Sequence, residues 1–196
     1  MQNRLFFCPL DKISQNLIKS HYYQLFDTFS ILRRMNRMSK LDDILKNSFH
    51  EDGTILILRD KYIGIRGCME LAQKEILKNV KQLILPGNQI FDEGLEALTE
   101  SPYLMNLELL NANQNEIGDD GAIAIANTKN LPNLKDLSMF GNVIGDIGAQ
   151  ALADSPQSKK YLKLDLYKNQ YSRNGYKALT ESDNLKNCEE LEVYRE

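Results

Sequence analysis

The chain has 196 residues, 42% of them hydrophobic and 26% charged, with a net charge of −3. That length suits one domain with at most a small appendage, the composition excludes a disordered chain, and no apolar run approaches the roughly 20 residues of a membrane-spanning helix. The charge divides unevenly, with eight Lys/Arg against four Asp/Glu in residues 1–50 and sixteen against twenty-three in the remainder, and an acidic body lacks the basic stripe that a nucleic-acid partner requires.

From the N-terminus, Met1 to Leu10 hold Arg4 and a short apolar patch before Asp11 and Lys12, which is too little for a secretory signal. Apolar residues at Ile13, Leu17, Ile18, Tyr22, Leu25, Phe26, Phe29, Leu32 and Met35 predict a helix over Asp11–Arg37. Ser39 followed by Asp42 predicts a second helix start with a capping box, turning Leu41, Ile44, Leu45 and Phe49 inward. Residues 1–52 are therefore expected to be a helical N-terminal cap that covers the open core edge of residue 53 onward. The basic group Arg33, Arg34, Arg37 and Lys40 reads as a solvated helix face, with an acidic membrane surface as the alternative.

Residues 53–196 repeat. Asn88, Asn115, Asn142 and Asn169 stand 27 residues apart, and Gly67, Gly94, Gly121, Gly148 and Gly175 keep the same interval. Five residues before the asparagine column stand Leu56, Leu83, Leu110, Leu137, Leu164 and Leu191; two further on stand Leu58, Leu85, Ala112, Met139, Leu166 and Val193. Residues two apart share one face of a strand, so these columns predict a short strand with a buried side. The asparagine falls where the chain leaves the strand, where its amide can satisfy backbone groups of adjacent turns. Asp92, Asp119 and Asp146 are expected to cap the helices that begin beside them. The glycines and the pairs Ala97-Leu98, Ala124-Ile125, Ala151-Leu152 and Ala178-Leu179 would let each helix lie close on the strand layer. Five 27-residue units and a terminal strand result, none able to bury its apolar face alone.

This pattern resembles the leucine-rich-repeat family in its long, ribonuclease-inhibitor-like subtype. The Gly-x-x-Ala-Leu helices, as in Gly94-Leu95-Glu96-Ala97-Leu98, are most similar to the GALA-type repeats of bacterial effector proteins. The resemblance implies an α/β solenoid arc with a parallel concave sheet, convex helices and a helical N-terminal cap. It implies a protein partner in a eukaryotic host, met either in the cytoplasm or after secretion without a signal peptide. The first unit departs from the pattern, with Lys61 in the asparagine column and Glu70 in the alanine column. An F-box-like ubiquitin-ligase adaptor, with residues 1–52 as the docking element, and a regulator of a small GTPase are the alternatives. The run from Pro9 through Leu17-Ile18, Phe26, Phe29 and Leu32 to Asn36-Arg37 is loosely similar to an F-box in its apolar spacing.

The concave positions form two further columns. Two residues before the asparagines stand Arg59, Pro86, Asn113, Phe140, Tyr167 and Tyr194; between the leucine columns stand Ile57, Ile84, Asn111, Ser138, Asp165 and Glu192. Phe140, Tyr167 and Tyr194 are expected on successive strands, about 5 Å apart per step. Contiguous exposed aromatics suggest an interface, although such rings can also lie on one another simply to cover a strand surface. The candidate partner-binding set is Arg59, Asn111, Asn113, Ser138, Phe140, Lys163, Asp165, Tyr167, Glu192 and Tyr194. Ile57 and Ile84 are expected beneath the N-terminal cap. The glutamates Glu181, Glu189, Glu190, Glu192 and Glu196 read as charges that keep a last strand from pairing edge to edge. They also resemble the acidic tails of type IV-secreted effectors.

Catalysis is not expected. The only histidines are His21 and His50, there is no phosphate-binding glycine loop, and Cys8, Cys68 and Cys188 form no framework. Cys68 and Cys188 read as core thiols. No cofactor or metal, no nucleic acid, no membrane insertion and a monomeric state complete the expectation.

Overall fold

The protein, a computed structural model, divides into two compact units, Met1–Lys40 and Leu41–Glu196, and is described here over residues 41–193. The expected helix over Asp11–Arg37, the basic group Arg33 to Lys40, Cys8, His21 and Tyr194 lie outside the described residues. Six strands, β1 (Ile55–Ile57), β2 (Gln82–Ile84), β3 (Leu109–Asn111), β4 (Asp136–Ser138), β5 (Lys163–Asp165) and β6 (Glu190–Glu192), form one parallel sheet in sequence order. Each leucine of the first column pairs with the next, Leu56 with Leu83 through to Leu164 with Leu191, so the register follows the repeat. Parallel neighbours need a crossover connection. It is supplied by α1 (Gly64–Ala72), α2 (Phe91–Thr99), α3 (Asp119–Asn127), α4 (Asp146–Asp154) and α5 (Arg173–Thr180). Both apolar strand columns point into the layer between sheet and helices, where Leu56, Leu83, Leu137 and Leu164 are fully buried. Leu98, Ile125, Leu152 and Leu179 meet them from the helices.

Three ladders of side chains join the units. In the first, the asparagine column works as the sequence suggests. Asn142 Oδ1 accepts the N–H groups of Asn115 and Ile117, and its Nδ2 donates to the carbonyls of Ala112 and Met139, at 2.9–3.1 Å. Asn88 and Asn115 are likewise buried and bonded across the turns.

The aspartates require a correction. None caps its own helix; each reaches forward to the next one. Asp92 Oδ1 accepts from the N–H groups of Gly118 and Gly121, Asp119 Oδ1 from those of Gly145 and Gly148, and Asp146 Oδ1 from those of Ser172 and Gly175. The carboxylate thus meets the unsatisfied donors and positive end of the neighbouring helix. Helix entry depends on it. Gly118, Gly145 and Ser172 are extended, whereas Gly64 and Phe91, which no aspartate among the described residues serves, take φ of +61° and +55° and donate to the carbonyls of Asn88 and Asn115.

The third ladder is of hydroxyls. Ser101 Oγ donates to the Ala72 carbonyl at 2.6 Å and Thr128 Oγ1 to that of Thr99 at 2.7 Å; Ser155 and Ser182 donate to Ala126 and Ala153. Each closes the C-terminal end of the helix one unit back. In the first unit this column holds Lys74, whose ammonium pairs with Asp42 at 2.6 Å and Glu70 at 3.3 Å.

The glycine column also differs from expectation. A Cβ at Gly148 would stand 2.7 Å from Asp119 Oδ1 and 2.9 Å from the Ala122 Cβ, and one at Gly175 would meet Asp146 and Ala149. Their smallness serves the approach of one helix to the helix before it, rather than to the strand layer.

Ahead of β1, residues 41–46 are helical, with Leu41 and Leu45 buried and Ile44 and Phe49 packed on the core. Phe49 then bridges Leu56 in antiparallel fashion, and Ser48 and His50 exchange backbone hydrogen bonds with Ile57 and Ile55. These residues occupy the edge of the sheet, not its face. Ile57 is 41% exposed and Ile84 half-buried; the expected cover by the N-terminal cap rests largely on residues 1–40, outside the described residues.

Candidate functional site

The sheet face opposite the helices carries the outward residues of each strand and of the turn after it. Because the register is strict, Asn111, Ser138, Asp165 and Glu192 stand side by side across β3 to β6. Arg59 shares its column with Asn113, Phe140 and Tyr167, but it belongs to the first unit. It therefore lies four strand steps from Tyr167, on the order of 20 Å, and is exposed there. Pro86 in the same column is buried. The structure brings the central members of the set together and leaves Arg59 apart.

Phe140 and Tyr167 stack with ring centroids 6.0 Å apart and planes 26° from parallel. Phe140 is half-buried and Tyr167 is 40% exposed. The rings do lie on one another, as the plainer alternative has it, and they still present a broad aromatic surface. Lys168, absent from the sequence-based set, holds its ammonium 5.3 Å from the Phe140 ring centroid. Its position directly after the aromatic column was the available signal.

Beside the rings lies a polar chain. Asn113 Oδ1 accepts the Phe140 N–H at 2.8 Å and lies 2.7 Å from the Ser138 hydroxyl. The same Ser138 Oγ stands 3.1 Å from Asp165 Oδ2, and Asp165 Oδ1 accepts the Tyr167 N–H at 3.1 Å. Asn111 Oδ1 accepts from Asn113 N–H. These bonds hold the turns that carry Phe140 and Tyr167 in fixed positions. Lys163 forms an ion pair with Glu190 on the adjacent strand, and the hydrogen bond and charge of that glutamate raise its pKa. Asp136 and Glu190 share this outermost column with Lys163. They were missed although the two-residue strand period places them beside the named residues. Glu192 is exposed on β6, and Tyr194 lies outside the described residues.

Elsewhere the chemistry is quiet. Cys68 is fully buried and its thiol is pushed up to about 12 by that burial; Cys188 is half-buried and shifted the same way for the same reason. Among the described residues no group of three or more His, Cys, Asp or Glu could hold a metal ion. No helix among them is long and apolar enough to cross a membrane.

A family model described as Leucine Rich repeat matches residues 77–98, 103–126 and 130–153. In these three spans the chain is similar to leucine-rich repeats. The matched spans run through α2, α3 and α4 and the strands between them, and the leucine-rich-repeat solenoid extends in the same register to the units on either side. One of 64 matching solved chains, titled Leiomodin-1 Actin-Binding Site 2, aligns at a TM-score of 0.52 and 18% identity, covering 76% of this chain and 87% of that one. At that identity the likeness is one of fold alone. No curated protein matches the sequence.

Proposed function

We propose that this chain is a protein-interaction module whose concave face, centred on Phe140 and Tyr167, receives the partner. The observation that carries the reading is the stacked pair itself. Both rings lie outside the hydrophobic layer that holds sheet and helices together, and Tyr167 leaves 40% of its surface in solvent. Stacking fixes two large side chains in advance, so less conformational entropy is lost when a partner covers them, and aromatic anchors dominate binding energy at interfaces. The finer part of the proposal is that the chain is a secreted bacterial effector acting on a host protein, reaching it without a signal peptide. It is supported by the likeness of the Gly-x-x-Ala-Leu helices to GALA-type repeats. The F-box-like adaptor reading depends on residues 1–52, of which 1–40 lie outside the described residues.

The test is a pull-down from eukaryotic lysate, comparing the intact protein with a folded Phe140→Ala, Tyr167→Ala double variant. Loss of a specifically captured protein supports the concave face, and its identity decides among host-effector roles. Capture unchanged by the double variant would remove this face from consideration.

A further inference from the structure

Among the described residues, the Asp165 carboxylate beside the aromatic pair is hydrogen-bonded by neutral donors alone. The Phe140 N–H fixes the orientation of the Asn113 amide by donating to its oxygen. Ser138 then has one proton for two acceptors, Asn113 Oδ1 at 2.7 Å and Asp165 Oδ2 at 3.1 Å. Asn113 Oδ1 already holds the Phe140 N–H, and the ionised carboxylate is the stronger acceptor of the hydroxyl proton. Both Asp165 oxygens are thus bonded, Oδ2 by the Ser138 hydroxyl and Oδ1 by the Tyr167 N–H, but among the described residues no ion pair engages this carboxylate, the adjacent Lys163 being paired with Glu190. Across β4 to β6 the outward columns hold four carboxylates, Asp136, Asp165, Glu190 and Glu192, and one ammonium, Lys163. The face asks for a cation that brings N–H donors.

The aromatic pair asks for the same thing. Phe140 already carries the Lys168 ammonium at 5.3 Å from its centroid, an attraction between a cation and the negative face of a ring. Tyr167, stacked on Phe140, leaves 40% of its surface in solvent. Asp165 and Tyr167 are two residues apart on one side of the chain, a separation of about 7 Å, so a planar group can touch both. A guanidinium does so better than an ammonium, because it stacks flat on a ring while donating in a fork to a carboxylate.

We infer that the partner presents an arginine side chain to the C-terminal half of the concave face, its guanidinium lying against Tyr167 and paired with Asp165. The inference rests on the concave-face reading above and names the partner's chemistry there. An acidic or phosphorylated segment meets four carboxylates instead and is disfavoured.

The experiment uses the intact 15N-labelled protein and three defined probes, N-acetyl-Gly-Arg-Gly-amide and its Lys and Glu counterparts, with amide shifts followed by NMR. The arginine probe is expected to shift Ser138, Phe140, Asp165 and Tyr167 and to bind more tightly than the lysine probe, with the glutamate probe silent. Asp165→Asn and Tyr167→Leu, each checked for an otherwise unchanged spectrum, should each weaken the arginine probe by about tenfold, the effect of losing one charge-assisted or cation–ring contact. Equal binding of the lysine probe, shifts scattered away from these residues, no shifts at all, or shifts that survive Asp165→Asn would each overturn the inference. If the probes fail while the Phe140 and Tyr167 variant still loses its captured partner, the arginine is wrong and the concave-face reading stands. If both fail, the site itself is elsewhere.

Discussion

Asn142 uses every hydrogen-bonding position of its amide, two accepting and two donating, inside a turn where it is buried. Replacement by alanine strands two buried N–H groups and two carbonyls at once, so Asn142→Ala is expected to cost about 3 kcal/mol or more in urea denaturation. Asn169→Ala should cost less, because that residue is only half-buried. Asp146 allows a test by pH. Its carboxyl is held below the ordinary 3.8, first by the Ser172 hydroxyl, then by the Ser172 N–H and that of Gly175. A carboxylate depressed in the folded state stabilises it at pH values above the unfolded pKa, and that contribution disappears as pH falls through the folded value. Melting curves of the wild type and Asp146→Asn should therefore differ at neutral pH and converge as pH falls below the ordinary carboxyl value through the folded one; a gap independent of pH would assign the difference to something other than charge. The two residues were not equally legible. A buried amide at a strand exit has one plausible use, whereas an acid before a helix can serve its own helix or the next. The sequence columns show spacing without showing which turn lies within reach.

At the scale of the element, each helix is finished by its neighbours. For α3 and α4 the preceding unit supplies the aspartate at the N-terminal end and the following unit the hydroxyl at the C-terminal end; among the described residues α1 and α2 have the hydroxyl alone, and α5 the aspartate alone. The column Ser101, Thr128, Ser155, Ser182 keeps the same 27-residue interval as the asparagines, yet it has no apolar signature to mark it. The strands were legible because burial on one side and exposure on the other write a two-residue period into three-residue segments that repeat in strict register. Helix packing is tested at Gly148. An added methyl would meet Asp119 and Ala122 on α3, and Gly148→Ala is expected to lose about 1–3 kcal/mol from overpacking. If it were instead neutral, the close approach of α3 and α4 would not be a constraint. Among strands, Leu137→Ala in the middle of the sheet should cost about 2–5 kcal/mol, and Leu191→Ala on half-buried β6 distinctly less. Equal losses by denaturation would contradict the burial gradient.

For the whole molecule, the three ladders make 27 residues the indivisible step. Excising residues 109–135 would bring Asn142 under Asn88, Gly145 and Gly148 under Asp92, and Ser155 behind Thr99, each replacing a residue of the same kind. Such a protein is expected to unfold cooperatively, with a smaller denaturant slope in proportion to its lost surface. Excision of residues 109–134 would put every ladder one residue out of step, and it should abolish the transition seen by circular dichroism. If both shortened chains folded alike, the ladders would not set the register. The candidate site was legible in its residues and not in its bonding, since periodicity gathers Ser138, Phe140, Asp165 and Tyr167 on one face without revealing how their donors and acceptors divide. That face also stands apart from the forward aspartates and backward hydroxyls, which lie among the helices. Length and surface are therefore free to vary independently. A lineage can duplicate or discard whole units to change how far the arc reaches, and separately exchange outward side chains to change what it holds, with neither alteration asking permission of the other.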